Sequence, residues 1–213
     1  MSSGRRDTRL AILEAARKMF EAQGYFGAGL EAVAKEAGVS RQAIYLHFAS
    51  KPDLLTALHL YVFEVDVAPS LERHPIWTAP TALDALDDSI AADAETASRV
   101  WRIHEALVLA RRHHPEVDQT LRPREAQRYD DIVRLGRWLE EEGWLPAAMP
   151  VATFADVYWG LTSSGTFVNL VIERGWSVER FARWVRDVLR LQLSGAVPAG
   201  DQAPTGSEAP AGQ

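Results

Sequence analysis

The apolar residues of this chain recur at every third or fourth position over most of its length, which is the spacing of amphipathic helices. No segment shows the sustained alternation of apolar and polar residues that is typical of a half-buried strand. Glycine and proline residues divide the pattern into segments of helical length. These segments predict helices over 7–23, 30–37, a short stretch after Ser40, 51–66, 81–93, 96–113, 116–142 with a kink or interruption at Pro123, 150–173 and 177–193. The sequence therefore predicts an all-α fold.

A four-residue turn, AGVS, joins the second and third predicted helices, and its length and glycine are typical of a helix-turn-helix. At 100° per residue, Ile44 and Phe48 fall on one side of the third helix. The outward sector carries Arg41, Gln42, Tyr45 and Leu46, extended by Ala43 and His47. In a helix-turn-helix the second helix lies in the major groove of DNA. We interpret the outward sector as a DNA-reading face, and its alternative is an ordinary solvated helix face.

Part of this face matches the edges of DNA bases. Arg41 can donate two hydrogen bonds to guanine, and Gln42 can pair with adenine. Ala43 or Leu46 can contact the methyl group of thymine. These four residues are therefore the expected base readers.

Phosphate contacts are expected from Tyr45, His47 and Lys51, the last assisted by the N-terminus of the helix that begins there. The overall net charge of −6 argues against a nucleic-acid partner at first sight. However, residues 1–60 have a net charge of +2, and the remainder has −8. A locally basic segment on an acidic body favours DNA binding by the N-terminal region.

The stretch GYFGAGLEAVAKEAGVSRQAIYLHFASKPDLL resembles the DNA-binding domain of the TetR (tetracycline-repressor-like) family of bacterial transcriptional regulators. The matching pieces are Gly24-Tyr25, VAKEAGVS, IYLHF and SKPDLL, and the close match covers about residues 7–60. Beyond it, only the number and lengths of the helices are similar. Carried over by position, the resemblance implies these DNA-contacting residues: Arg41, Gln42, Ala43, Tyr45, Leu46, His47 and Lys51.

One departure concerns the start of the second helix. The family commonly has Thr or Ser pairs there, whereas this chain has Ala28 and Gly29, so one side-chain contact to a phosphate is in doubt. A backbone N–H can still reach a phosphate. Arg5 and Arg6 would compensate as a flexible arm in the minor groove, or they belong to a solvated basic tail.

The resemblance also implies a ligand pocket in the C-terminal body. Aromatic residues with polar neighbours suit such a pocket, and the pairs Trp101 with His104 and Trp159 with Thr162 have i,i+3 spacing. Further candidate lining residues are Tyr129, Phe154 and Phe167. Packing in a helical core is the alternative for each of these residues.

In the family, the last two helices form a four-helix bundle with their copies from a second subunit. Here the helix over 150–173 carries small residues that permit close approach, and the helix over 177–193 gathers apolar residues on one face. The resemblance therefore implies a homodimer through these two helices. Packing within one subunit is the alternative for the apolar face.

We predict a helix-turn-helix DNA-binding domain over 1–50, a helical ligand-binding and dimerisation domain over 51–194, and a disordered tail over 195–213. The prolines of 68–80 mark a linker.

Other classes of protein have little support in the sequence. There is no Cys, and His74, His104, His113 and His114 lack the spacing of a metal site, so neither a metal nor a cofactor is expected. No catalytic motif is present, and we predict that the chain is not an enzyme. The apolar segment 151–172 contains Asp156 and Asn169, which favours a buried helix over a membrane span. With no signal peptide at its N-terminus, the chain is expected in the cytoplasm.

Together, these features predict a homodimeric transcriptional repressor that binds a palindromic operator and is released by a small-molecule effector. The alternative is a DNA-binding or architectural regulator that acts without a ligand.

Overall fold

The structure is a computed structural model that describes residues 3–69 and 76–193, and the regular secondary structure within these ranges is entirely helical. The helices are α1 Ser3–Gly27, α2 Leu30–Glu36, α3 Arg41–Tyr45, α4 Lys51–Val62, α5 Ala82–Arg111, α6 Pro115–Glu141, α7 Val151–Leu161, α8 Ser164–Phe167 and α9 Val178–Leu193. Two π-helical turns, Phe63–Val67 and Val168–Glu173, follow α4 and α8, and a 3-10 turn covers Ile76–Thr78. The predicted all-α fold is confirmed. The predicted tail 195–213 and part of the predicted linker 68–80 lie outside the described residues.

Local signals in the sequence account for several helix ends. Ser40 caps α3, because its Oγ accepts a hydrogen bond from the backbone N–H of Ala43 at 3.1 Å. Gly38, with φ of 68°, adopts the left-handed conformation that ends α2 and starts the turn. Within α1, Gly24 has a non-helical φ of 66°, so the helix is kinked where the sequence predicts it to end.

Two predicted boundaries in the body are wrong. The helices predicted over 81–93 and 96–113 form one helix, α5, because Ala94 and Glu95 between them are helix-compatible and Ala94 is buried. The helix predicted over 150–173 is broken after Leu161. There Thr162 Oγ1 donates to the carbonyl of Tyr158, and Ser163 caps α8, so the side chains compete with the helical backbone. The helix α6 continues through Pro123 without interruption.

The buried apolar residues form two clusters. The first joins α1–α4 to the C-terminal part of α5 and the start of α6; its residues include Ile12, Phe20, Ile44, Leu58, Leu107 and Val117. The second lies among α5, α6, α7, α8 and α9; its residues include Leu86, Leu139, Phe154, Phe167 and Val185. The N-terminal helices thus share their core with two helices of the body.

Polar contacts reinforce this shared core. Arg102 Nη1 on α5 donates to the carbonyl of Glu21 on α1 at 2.8 Å, and Arg17 on α1 pairs with Asp66 after α4 at 2.7 Å. These contacts and the first cluster fix α1 and α4 against α5. Within the described part of the chain, no helix is long and apolar enough to cross a membrane.

Candidate nucleic-acid interface and ligand region

The outward face of α3 is assembled as the sequence predicts. Ile44 and Phe48 are buried in the first cluster and hold α3 against α1 and α2. On the opposite side Arg41 and Gln42 are exposed, with Tyr45 46% and Leu46 69% exposed. An exposed leucine and an exposed tyrosine beside an arginine and an amide match the mixed chemistry of a DNA groove. Ala43 and His47, at the margins of this face, are half-buried.

Arg41 and Tyr45 contact each other across one helical turn. Arg41 Nη2 donates to Tyr45 Oη at 3.4 Å, and the guanidinium lies 5.9 Å from the centre of the tyrosine ring. The contact keeps both side chains on the outer face of α3, where they are available together.

The start of α1 lies beside the end of α3 and adds positive charge there. Arg5 Nη2 donates to the carbonyl of Leu46 at 3.4 Å, and the Arg9 guanidinium lies 5.2 Å from the Phe48 ring centre. Partial burial, followed by the charges of Arg5 and Arg9, lowers the pKa of His47. The sequence reading missed Arg9, although its i,i+4 spacing from Arg5 on a helix is a usable signal.

Arg5 and Arg6 belong to the first turns of α1. They therefore form part of a helix, and the expectation of a flexible arm is wrong for the conformation described. The helix begins before the predicted Asp7 because Ser3 to Arg6 contains no helix breaker stronger than Gly4.

Lys51 lies at the first position of α4. Its ammonium sits 4.6 Å from the centre of the Tyr25 ring, and partial burial lowers the pKa of Lys51. Ser50 and Asp53 cap the same helix end: Ser50 Oγ accepts from the N–H of Asp53 at 3.1 Å, and Asp53 accepts from the N–H of Ala49 at 2.8 Å. The lysine charge is thus held near the N-terminus of α4.

The start of α2 has no side-chain cap. Gly29 is the N-cap residue, in an extended conformation with φ of −82°, and a Cβ atom added there would meet no atom within 4 Å. Ala28 before it is fully buried. The position is therefore open on its outer side and compatible with a larger residue.

The residues expected to line a ligand pocket occupy two kinds of environment. Phe154 and Phe167 are fully buried in the second cluster and pack against its other side chains. Trp101, His104, Tyr129 and Trp159 are half-buried. Tyr129 and Trp159 meet edge to face at 5.9 Å, and Tyr129 Oη donates to Asp156 at 2.7 Å. The structure therefore brings together Tyr129 and Trp159.

A partly buried polar network lies next to this pair. Arg128 pairs with Asp93 at 3.0 Å, donates to Thr162 Oγ1 at 2.6 Å, and lies 4.8 Å from the centre of the Trp159 ring. Tyr158 Oη donates to Asp93 at 3.1 Å. Burial and then Asp93 raise the pKa of Tyr158 well above its ordinary value, so this phenol remains a donor.

The sequence reading missed Asp93, Arg128 and Tyr158. The sequence does carry a signal for the two charged residues, because Asp93 and Arg128 occur at helical positions whose neighbours face the core. A charge near the core is costly unless it is paired with an opposite charge. Although burial opposes the charge of Arg128, Asp93 holds the pKa of Arg128 above its ordinary value.

Two shallow surface clefts lie away from these residues. One, of about 280 Å³, is between α1 and α2; the other, of about 380 Å³, is between the 3-10 turn at Trp77 and α6. Neither is lined by a predicted ligand residue. Among the described residues, no cluster of three or more potential metal ligands is present.

The last helices combine buried and exposed apolar side chains. On α9, Phe181, Val185 and Leu189 are buried in the second cluster, whereas Leu191 is 60% exposed. Ile172, in the π-helical turn after α8, is also exposed. An added Cβ at Gly160 on α7 would meet nothing within 4 Å. The surface at Gly160 therefore has room for another helix to approach closely.

Comparison with known proteins shows that this chain is similar to bacterial transcriptional regulators. The family model described as bacterial regulatory proteins of the tetR family matches residues 12–58. YfiR of Bacillus subtilis (strain 168), an uncharacterized HTH-type transcriptional regulator, is 31% identical over 164 residues, which cover 72% of this chain and 76% of YfiR. The HTH-type regulator SrpR of Pseudomonas putida is 38% identical over 76 residues, so this chain spans only 36% of that relative.

Solved structures share the fold. A transcriptional regulator from Saccharomonospora viridis, solved with choline, has a TM-score of 0.73 at 19% identity and covers 85% of this chain and 94% of its own. AibR, solved with isovaleryl coenzyme A and operator DNA, has a TM-score of 0.65 at 17% identity, with 85% and 97% covered.

Proposed function

The chain belongs to the TetR family of bacterial transcriptional regulators, and from this premise we propose that it is a homodimeric repressor that binds a palindromic operator and is released by a small-molecule ligand. The observation that carries the DNA-binding part is the outward face of α3, where Arg41, Gln42, Tyr45 and Leu46 are exposed while Ile44 anchors the helix. Acting on DNA, the protein would work in the cytoplasm.

The residues divide into two roles on DNA. Arg41 and Gln42 read base edges, with Ala43 and Leu46 against thymine methyl groups. Phosphate contacts come from Tyr45, His47 and Lys51, and also from Arg5 and Arg9 at the start of α1. The inclusion of Arg5 and Arg9 among the phosphate contacts is supported by their placement beside the end of α3.

We assign DNA binding to residues 1–50 and ligand binding and dimerisation to 51–194. A palindromic operator requires two recognition helices related by a twofold axis, and the helices spanning 150–173 and 177–193 are the proposed contact between copies. The exposed Leu191 and Ile172 and the open surface at Gly160 support this assignment.

The ligand acts on the position of α4. This helix follows α3 closely and packs on α5 and α6, so a ligand that shifts it changes the spacing of the two recognition helices. Trp101, His104, Tyr129, Trp159 and Thr162 are the proposed contacts, with Phe154 and Phe167 behind them. Support also comes from AibR, which was solved with both an acyl coenzyme A and operator DNA.

Footprinting of genomic fragments at low salt tests the DNA-binding part. A palindromic protected site is expected, with log affinity falling linearly against log salt concentration. Arg41→Ala should reduce the preference for the matching base at one position of each half-site by roughly 5–150-fold, whereas Lys51→Ala should weaken binding to all DNA sequences alike. Lys18→Ala is the matched control, since it also removes one positive charge but lies on α1, paired with Glu36. Absence of any protected site would refute the proposal.

A thermal-shift screen followed by operator titration tests the ligand part. A ligand that binds the folded protein raises its apparent stability, and the same ligand should weaken operator binding by about 5–150-fold. By linkage, operator DNA must weaken ligand binding by the same factor.

The second candidate function is regulation without a ligand, through DNA binding or bending alone. It is favoured by the burial of Phe154 and Phe167, which pack against other side chains of the second cluster. A screen in which stabilising compounds leave operator affinity unchanged would support this second candidate over the first.

A further inference from the structure

An unsatisfied histidine lies where α4 packs against α5 and α6. His59, in the last turn of α4, has an Nε2 atom that is buried without a hydrogen-bond partner among the described residues. Buried polar atoms of native proteins almost always have a partner, so an orphaned one needs an explanation. A polar group of a bound ligand would supply that partner.

An arginine without a carboxylate faces the same place. The guanidinium of Arg124 on α6 lies 4.0 Å from the ring centre of Phe63, which follows His59 by one turn and begins the π-helical turn after α4. On the same helix, Arg122 pairs with Asp118 and Arg128 pairs with Asp93. Arg124 forms no ion pair within residues 3–69 and 76–193. Its charge is therefore uncompensated in the described structure.

The pKa values of both histidines at this place, His59 and His104, are lowered. Burial, followed by the charges of Arg124 and His104, lowers the pKa of His59 to about 4. Burial also lowers the pKa of His104, an effect that Glu125 opposes and that Arg128 and Arg111 strengthen.

The one carboxylate in this group is already engaged. Arg111 binds Glu125 through two hydrogen bonds, of 2.7 and 3.1 Å. Within the described ranges, the Arg124 guanidinium and His104 both act electrostatically on the buried His59, and the carboxylate near His104, Glu125, is bound by Arg111.

We propose that His59, His104, Arg124 and Phe63, here called the α4 junction, form a binding site for a small organic carboxylate. The carboxylate would accept hydrogen bonds from Arg124 and from the unsatisfied Nε2 of His59. Its apolar part would lie along the Phe63 ring, on the side where Trp101 precedes His104 by one turn of α5.

Binding at the α4 junction would require α4 to move. His59 Nε2 is buried, so a carboxylate that reaches it must favour a state in which α4 stands further from α5 and α6. The π-helical turn Phe63–Val67 is suited to this adjustment, since such turns often occur at functional sites. The role of the carboxylate as the releasing ligand rests on the proposed function, whereas its binding does not.

Histidine titration of the full chain by NMR, with and without benzoate or hexanoate, tests the site without using DNA. Benzoate or hexanoate should raise the pKa of His59 by about 1–3 units, because a nearby negative charge favours the imidazolium. The uncharged amides, benzamide and hexanamide, should leave it unchanged. Arg124→Gln should abolish the carboxylate-dependent shift, and Arg122→Gln, whose side chain is exposed and binds Asp118, should retain it.

The outcomes separate this inference from the proposed function. If neither carboxylate moves the pKa of His59, or if the amides move it equally, the α4 junction is not a carboxylate site. An unchanged shift in Arg124→Gln would overturn it as well. Operator binding is measured separately by footprinting in the absence of any carboxylate, so such a failure leaves the DNA-binding proposal in place.

Discussion

Replacement of Gly136 by alanine should destabilise the protein although alanine is the better helix former. Gly136 is buried in α6 where α7 crosses it. A Cβ atom added there would lie 2.9 Å from Phe154 Cδ1 and 3.0 Å from Val151 Cγ1. Carbon atoms in contact prefer separations of about 3.5–4.0 Å, so α7 must move away or the Phe154 ring must rotate. Neither is easy, because Phe154 is fully buried and packs against Tyr158.

The expected change in the free energy of unfolding is the sum of two opposing effects. Overpacking a filled core costs about 1–3 kcal/mol. Replacing glycine by alanine inside a helix stabilises it by about 0.8–1.0 kcal/mol. The net loss in the free energy of unfolding is therefore about 0–2 kcal/mol, which corresponds to a fall in Tm of roughly 2–4 °C per kcal/mol for a chain of this size.

Urea denaturation at one fixed protein concentration measures the effect, and a double-mutant cycle with Phe154→Leu isolates its cause. Phe154→Leu alone should be destabilising because it leaves a cavity. In the double variant, however, the leucine has no atom in place of Phe154 Cε1, which lies 3.5 Å from the new methyl group, and its Cδ atoms can turn away, so part of the collision is relieved. The two changes should therefore be coupled favourably, by about 0.5–3 kcal/mol.

Strict additivity of the two changes would refute the proposed collision. A rise in stability for Gly136→Ala alone would do so as well, because it would mean that helix propensity dominates and that α6 and α7 are not in the close contact described.

Four further predictions address the interface and the body. Arg9→Gln should weaken binding to all DNA sequences alike and reduce the slope of log affinity against log salt by about 1, as measured by filter binding at several salt concentrations; an altered base preference would contradict its role as a phosphate contact. Gly29→Ser should stabilise α2 by a few tenths of a kcal/mol, up to about 1 kcal/mol, through a side-chain cap and a less flexible unfolded chain, as measured by urea denaturation; a loss would show that the site is not open. The pKa of His59 is about 4 in the folded protein and about 6.5 in the unfolded chain, so its contribution to stability is fully present above pH 6.5 and is lost as the pH falls towards 4, by about 3 kcal/mol in total. His59→Gln should therefore flatten this part of the profile of unfolding free energy against pH. An unchanged profile would contradict the burial of His59. Gly160→Ala should raise the dissociation constant of the dimer, measured by analytical ultracentrifugation, if α7 meets its copy closely; an unchanged constant would place Gly160 outside the interface.

The helix-turn-helix was predictable because its signals are local. Ser40 as a cap, Gly38 as a left-handed stop and Ile44 as an inward residue each act within one turn of the chain. The outward face of α3 follows from the same periodicity, so its exposed residues could be named from the sequence.

The body was less predictable because its decisive contacts are distant in sequence. Asp93, Arg128 and Thr162 come from α5, α6 and the break after α7, and only the fold brings them together. The break itself depends on Thr162 and Ser163 side chains that bond to the backbone, a competition that helical periodicity does not reveal. The uninterrupted α5, in contrast, was open to prediction, because Ala94 and Glu95 are both good helix formers.

The first apolar cluster bears on how hybrid regulators with new operator preferences should be made. Leu54 and Leu58 of α4 and Leu107 of α5 complete the interior around Ile12 and Phe20. A graft of the first fifty residues onto the C-terminal body of another regulator would replace these partners with side chains of different shape. The hybrid protein would then have packing defects and exposed apolar surface. Exchange of the solvent-facing side chains of α3 alone leaves that interior intact. Altered operator preference is therefore better sought by recoding one helix face than by transplanting a domain.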